Sequence, residues 1–238
     1  MKFIFSLFIL FSSIKTNAQN SFVLIELFTS QGDEISPVAE EILYRTVADE
    51  KKNNSNIIVL EYHVDYWNRL GWKDPLSKFQ FSRRQENYSR VLAEKELYTP
   101  EIVINGTKSF SGTKEASLKE EIKNALSQPN RFLFSVLKDS IADDTLYITY
   151  NVPKADLNAV FRLAITESGI TTHIEAGANV NKTFVNNYVV RMLHSVDGIK
   201  NSQVKIPVKG LKFNSGFSFI AFVQSKQSMK VLGVVELN

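Results

Sequence analysis

The chain of 238 residues contains no cysteine. Dithiol–disulfide exchange, thiolate nucleophiles, thiolate metal sites and cysteine lipidation are all excluded by that one absence. Histidine is nearly as scarce: His63, His173 and His194 are the three in the chain. Only His63 has a His, Cys or Asp partner at recognised ligand spacing, Asp65, and two ligands on one strand do not hold a metal without partners from elsewhere. No metal and no cofactor are expected. No apolar run reaches the roughly 20 residues that cross a bilayer as a helix. No basic block marks a nucleic-acid surface. No Gly-x-Ser-x-Gly elbow is present for a serine hydrolase, and there are no internal repeats or low-complexity stretches.

What is there begins with a leader. Met1-Lys2 is a short basic start, residues 3–14 are mostly apolar, and Thr16-Asn17-Ala18 ends on a small residue before Gln19. This pattern predicts a secretory signal peptide over residues 1–18, an exported (periplasmic or secreted) protein, and no stable transmembrane segment after cleavage. Lys2 and Lys15 leave with the leader, so the formal net charge of +3 falls to +1 and the sequence pI near 8.9 overstates the basicity of what remains. An exported compartment permits disulfides; this chain has to be stable through burial alone, and its 44% hydrophobic content suits an ordinary core.

The first half alternates element types. Residues 22–28 form a near-continuous apolar run, as in a strand covered on both faces. Ser36-Pro37 opens a helix, with Ser as cap and Pro at the first helical position, and Val38, Ile42, Leu43 and Val47 follow at helical spacing to about Lys51. Residues 57–63 form a second strand. Asp74-Pro75 is read as the start of another helix running to Glu96. Residues 101–106 form a third strand ending in Asn-Gly, a hairpin signal; residues 108–111 pair back as a fourth, and residues 113–127 form a last helix. Arg83, Arg84, Arg90 and Lys95, interleaved with Glu86, Glu94 and Glu96, read as a solvated, self-paired helix face. The order β-α-β-α-β-β-α is that of the thioredoxin fold, with a core of parallel strands. Beyond Gln128-Pro129-Asn130 no strong helix remains. Seven short runs (132–137, 145–151, 160–166, 187–194, 203–208, 216–224 and 231–237) predict an antiparallel β-sandwich. The expected organisation is a thioredoxin-like domain at 21–127 followed by a β-sandwich domain at 131–238.

Six sequence words then carry a resemblance: Glu26-Leu-Phe-Thr-Ser-Gln-Gly32, His63-Val-Asp-Tyr-Trp67, Leu70-Gly-Trp-Lys-Asp-Pro75, Arg84-Gln-Glu-Asn-Tyr88, Tyr98-Thr-Pro100 and Val103-Ile-Asn-Gly106. They resemble the secreted thioredoxin-like family catalogued as domain of unknown function 1223, over roughly residues 22–106. The second half is a weaker match, resting on Ala176-Gly-Ala-Asn179 and Val189-Val-Arg191. The family's pattern has Cys-x-x-Cys-Pro after the first word. Here Asp33 and Ser36 stand at the two cysteine positions, so this is a variant without the redox pair.

Several residues are candidates for a site. Asp33 and Ser36 read either as two capping residues, with the carboxylate favoured by the positive end of the helix, or as a polar or metal-assisted site. Thr99-Pro100 is expected to be cis, by resemblance, and to keep an edge on which an extended peptide docks; the alternative is a cis bond that serves the turn alone. His63 and Asp65, two apart, share a face of an extended chain. Trp67 and Trp72, with Asp65, form either a binding cleft or a long loop packed down by its own aromatics. The function this predicts is a non-catalytic binding or scaffold protein of the cell envelope, a pseudo-oxidoreductase using the cleft of His63, Asp65, Trp67, Trp72, Thr99 and Pro100. Its partner would be an extended peptide or an envelope protein, not nucleic acid. The alternative is a hydrolytic or metal-assisted enzyme using Asp33, His63 and Asp65.

Overall fold

The computed structural model describes residues 16–17, 21–53, 55–94, 96–130, 132, 134–152, 156–199, 202–211, 213 and 216–237. The expected leader lies almost wholly outside them; of it only a two-residue strand, β1 (Thr16–Asn17), is described. The first long strand, β2 (Val23–Thr29), is buried at every position because its two faces are both covered. Side chains alternate across a strand. Val23, Ile25 and Leu27 therefore pack under helices α1 (Ser36–Lys51) and α3 (Glu115–Leu126), against Leu43, Val47, Leu118 and Ile122. Leu24 and Phe28 pack on the other face under α2 (Phe79–Leu92), against Phe81 and Tyr88.

Strand β3 (Ile57–His63) pairs parallel to β2, and β4 (Glu101–Ile104) antiparallel to it; β5 (Lys108–Ser111) closes the hairpin. The order of elements in the first half is the expected one. One start is displaced. Helix α2 begins at Phe79, not at Asp74, because the Asp74 side chain is taken by a tight turn: its Oδ1 accepts from Leu76 N at 2.9 Å, and Lys78, extended, bonds back to the His63 carbonyl at 3.1 Å.

The second half supplies β6 (Ser135–Ala142), β7 (Thr145–Asn151), β8 (Asp156–Glu167), β9 (Ile170–His173), β10 (Thr183–Asn186), β11 (Val189–Ile199), β12 (Ser202–Pro207), β13 (Phe217–Ser225) and β14 (Val231–Leu237). Strands β9 and β10, a small separate hairpin, correspond to none of the seven expected runs. The others divide between two sheets. A four-stranded sheet runs β1-β6-β7-β12, and an eight-stranded sheet runs β14-β13-β8-β11-β3-β2-β4-β5. Half of the large sheet thus comes from each half of the chain. The join is parallel and short, through Val189 against Glu61, with Glu61 N on the Tyr188 carbonyl at 2.9 Å. The two sheets face each other over a core in which Val136, Leu146 and Ile148 meet Leu163, Ile165, Val223 and Val235, and Tyr150 stacks on Phe161 at 4.2 Å. The molecule is α/β with one large mixed sheet. Among the described residues no helix is long and apolar enough to cross a membrane.

The charged face expected on α2 is corrected at Arg84, which points inward. It is 4% exposed and clasps Glu26 of β2 through two bonds, Nε to Oε2 at 2.5 Å and Nη2 to Oε1 at 2.9 Å. Gln224 of β13 completes the cluster, accepting from Arg84 and donating to the Tyr88 hydroxyl at 2.7 Å. A buried guanidinium survives desolvation only with such a bidentate partner. Arg83 and Arg90 do stay outside, on Glu86 and Asn87; Lys95 lies outside the described residues.

Candidate functional site

The site lies where β2 and β3 end. The chain leaves β2 at Thr29, turns through 30–35 and enters α1. Asp33 is 3% exposed and its carboxylate is fully used. Oδ2 accepts from the Ser36 hydroxyl at 2.7 Å and from the Thr99 hydroxyl at 2.8 Å, while Oδ1 accepts from Ile35 N at 3.1 Å. The last contact is the short-range turn that an Asp side chain makes with backbone two residues on. Ser36 is the first residue of the helix and donates to Asp33; the cap position is Ile35, which has no side-chain cap bond. The expected capping by Ser36 is thereby replaced by a side-chain bridge from Asp33.

The Thr99–Pro100 bond is cis. The residues around it are tied down: Gln85 Nε2 donates to the Tyr98 carbonyl at 2.7 Å and Gly112 N to the Pro100 carbonyl at 2.9 Å. Thr99 itself is different. Its hydroxyl reaches Asp33, but its backbone N–H and C=O bond to none of the described residues.

His63 does not join Asp33, Ser36 or Asp65. Its ring is completely buried; Nδ1 lies 2.7 Å from Asp74 Oδ2 and Nε2 2.9 Å from Glu61 Oε1. Burial alone would lower its pKa; the Asp74 and Glu61 carboxylates outweigh that and raise it to about 10. His63 is therefore an imidazolium donating from both nitrogens, and a ring with no free lone pair cannot take a proton from a substrate. Burial pushes Asp74 up, but His63 more than reverses this and leaves it below its ordinary value, helped by the backbone N–H of Gln31 at 2.9 Å.

Around this pair sits a wider buried network that motif reading did not find. Thr29 donates to Glu40 Oε1 at 2.5 Å, and Tyr44 to Glu61 Oε2. Asn186, from β10, donates to Glu40 Oε2 at 3.0 Å and Glu61 Oε1 at 3.2 Å, and accepts from Gln31 Nε2 at 2.9 Å. Burial, then the neighbouring Glu61 carboxylate, pushes Glu40 up to about 8. Asn179 closes the turn from above, its amide donating to the carbonyls of Gln31 and Asp33 at 2.9 Å each. Of these residues, Thr29 and Gln31 stood in the Glu26–Gly32 word and Asn179 in the Ala176-Gly-Ala-Asn179 word; Glu40, Tyr44, Glu61 and Asn186 stood in none.

Asp65 faces α2, accepting from the Ser82 hydroxyl at 2.5 Å. Trp67 is half-buried and packs its Cβ beside Gly32. Its indole Nε1 is buried without a partner among the described residues. Trp72, also half-buried, donates to Gln31 Oε1 at 3.2 Å. It lies against Gly177, where φ is +76° and a Cβ would come within 3.3 Å of Trp72, so glycine meets both the turn and the close approach. The candidate residues thus fall into three groups: Asp33, Ser36 and Thr99 together; His63 with Asp74 and Glu61; and Asp65 by itself, bonded to Ser82 of α2. The two tryptophans flank the 31–36 turn. His173 bonds Thr183 at the surface, and His194 is half-buried with its pKa lowered by burial. Among the described residues no group of three or more His, Asp or Glu side chains is disposed to hold a metal ion.

The family described as "Protein of unknown function (DUF1223)" matches the chain over residues 24–224. No curated protein matches it. Among solved structures, the X-ray crystal structure of a protein from Agrobacterium tumefaciens is similar over 92% of this chain and 96% of its own, with a TM-score of 0.65 and 24% identity. At that identity the likeness bears on the fold alone.

Proposed function

We propose that this chain, which belongs to the DUF1223 family, is an exported thioredoxin-like protein without redox chemistry that holds an extended peptide segment of an envelope partner. The element order of the first half, the parallel β2–β3 pair and the cis proline before β4 support the thioredoxin-like reading. The two facing sheets of the second half support a sandwich that shares one sheet with it. Cleavage after Ala18 would remove β1 together with the leader.

One observation carries the binding role. Apart from the Trp67 indole N–H, the polar side chains of the site bond to one another, whereas the N–H and C=O of Thr99, beside the cis proline, bond to none of the described residues. A free donor and acceptor on one residue is what an added strand pairs with. Ile35, Val38, Leu70 and Val180 are exposed around the same turn, so the rim offers apolar contact where the floor offers no reactive group. Selection from a library of extended apolar peptides tests this. Peptides should bind the wild type and bind at least tenfold more weakly to the Ile35→Asp/Val38→Asp and Trp67→Ala/Trp72→Ala variants, with circular dichroism unchanged. Peptides N-methylated at the pairing residue should also fail. Binding indifferent to all three changes would refute the assignment.

A further inference from the structure

A second concavity lies at the other end of β2, where Phe22 enters it, far along the strand from the 30–36 turn. Its volume is about 570 Å³, within the roughly 300–1,000 Å³ of small-molecule sites. Both halves of the chain build its walls. Strand β5 supplies Lys108, α3 supplies Glu121 and Asn124, the segment after α3 supplies Gln128 and Phe132, and the β13–β14 turn supplies Lys230.

The walls are latched rather than loose. Val231 N donates to the Asn105 carbonyl at 2.9 Å, and a Cβ on Gly106 would come within 2.0 Å of the Met229 carbonyl oxygen. Only glycine, here with φ +68°, lets the β4–β5 turn close on the β13–β14 turn. On the far side Asn130 folds the linker back, accepting from Phe132 N at 2.9 Å. The two halves therefore meet around a space they do not fill.

The lining has a definite chemistry. The ammonium groups of the exposed Lys108 and Lys230, the carboxylate of the half-buried Glu121 and the side-chain amides of the exposed Asn124 and Gln128 make no ion pair or hydrogen bond among the described residues. Ala125, Phe132 and Leu232, half-buried, line the same concavity with apolar surface. Glu121 opposes a polyanion; the two lysines oppose a simple cation. A ligand that carries both charges answers all three, the amides suit peptide groups, and the apolar contacts suit an aliphatic side chain. We propose that this groove binds a short apolar peptide with free termini, its carboxylate at Lys108 and Lys230 and its ammonium at Glu121.

Titration calorimetry with the tripeptide Leu-Leu-Leu, against its N-acetylated and C-amidated forms, tests the assignment. Saturable binding is expected for the free peptide, at least tenfold weaker binding for either capped form, and shifts of the Asn124 and Gln128 side-chain amide resonances. Lys108→Glu/Lys230→Glu should weaken the free peptide and leave the C-amidated one unaffected. Glu121→Gln should weaken the free peptide and spare the N-acetylated one. The Ile35→Asp/Val38→Asp variant, altered at the other end of the sheet, should bind the tripeptide as the wild type does, which separates this site from the edge at Thr99. No saturable heat at about 10 mM peptide, or equal affinity for the free peptide and its two capped forms, overturns the proposal.

Discussion

The side-chain amide of Asn179 donates to the carbonyl of Asp33 at 2.9 Å, across 146 residues of sequence. The turn that stands at the cysteine positions of the family's pattern is held shut by the second half of the chain. Asn186 repeats the arrangement one layer down, on Glu40 and Glu61. The halves are joined by these buried polar contacts as well as by the shared sheet.

Removing the Asn179 amide therefore leaves two buried carbonyls, of Gln31 and Asp33, without a donor. An unmade buried hydrogen bond costs about 1–3 kcal/mol. Asn179→Ala should lower stability by about that amount in urea unfolding, with the first-half and second-half probes still moving together. A change below about 0.5 kcal/mol, or two separated transitions, would contradict this account of the join.

The pH dependence of stability follows from Glu40 and His63. Both have folded pKa values raised above their ordinary ones, to about 8 and about 10. The folded state then holds more protons than the unfolded state between pH 4.5 and 8 on account of Glu40, and between 6.5 and 10 on account of His63. Stability is fully present below those windows and falls as pH rises through them, on the order of 1 kcal/mol per pH unit for each proton lost. Asp74, whose pKa is lowered, acts the opposite way and removes stability as pH falls through the ordinary carboxylate range. Thermal melts from pH 5 to 10 should show a steady loss. Glu40→Gln should flatten the lower part of that slope, and a profile that rises with pH would show the assignment of these protons to be wrong.

Dithiol exchange is closed to the native chain, which has no cysteine, but not to its turn. Insulin reduction by the wild type should equal the blank. Because the Asp33 and Ser36 side chains already touch at 2.7 Å, the Asp33→Cys/Ser36→Cys double variant should form an intramolecular disulfide in air, seen as the mass loss of a pair of hydrogens. A variant that stays reduced would mean that the turn has lost the geometry for it.

Local chemistry made much of the first half legible. The run of apolar residues before Thr29, the Ser36-Pro37 helix entry and the 57–63 strand all encode their own structure within a few residues. The reading failed where a side chain's partner lies far away. Asp74-Pro75 looks like a helix start, but His63 and Gln31 hold one oxygen of the Asp74 carboxylate while the other closes a turn on Leu76 N, and the helix begins only at Phe79. Arg84 looks like one of several surface arginines until Glu26 and Gln224 meet it. His63 and Asp65, two apart on a presumed strand, part because β3 ends at His63 and the chain bends.

The amino-acid order by itself settles that no thiol chemistry runs here and marks most of the helices and strands, β9 and β10 excepted, because absent atoms and short-range periodicity need no fold to be read. Which polar groups stay free is settled only by tertiary structure. Burial turns Asp33 and His63 into internal partners of Thr99, Asp74 and Glu61, and among the described residues leaves unpaired the backbone of Thr99 and the charges of Lys108 and Lys230 at the seam.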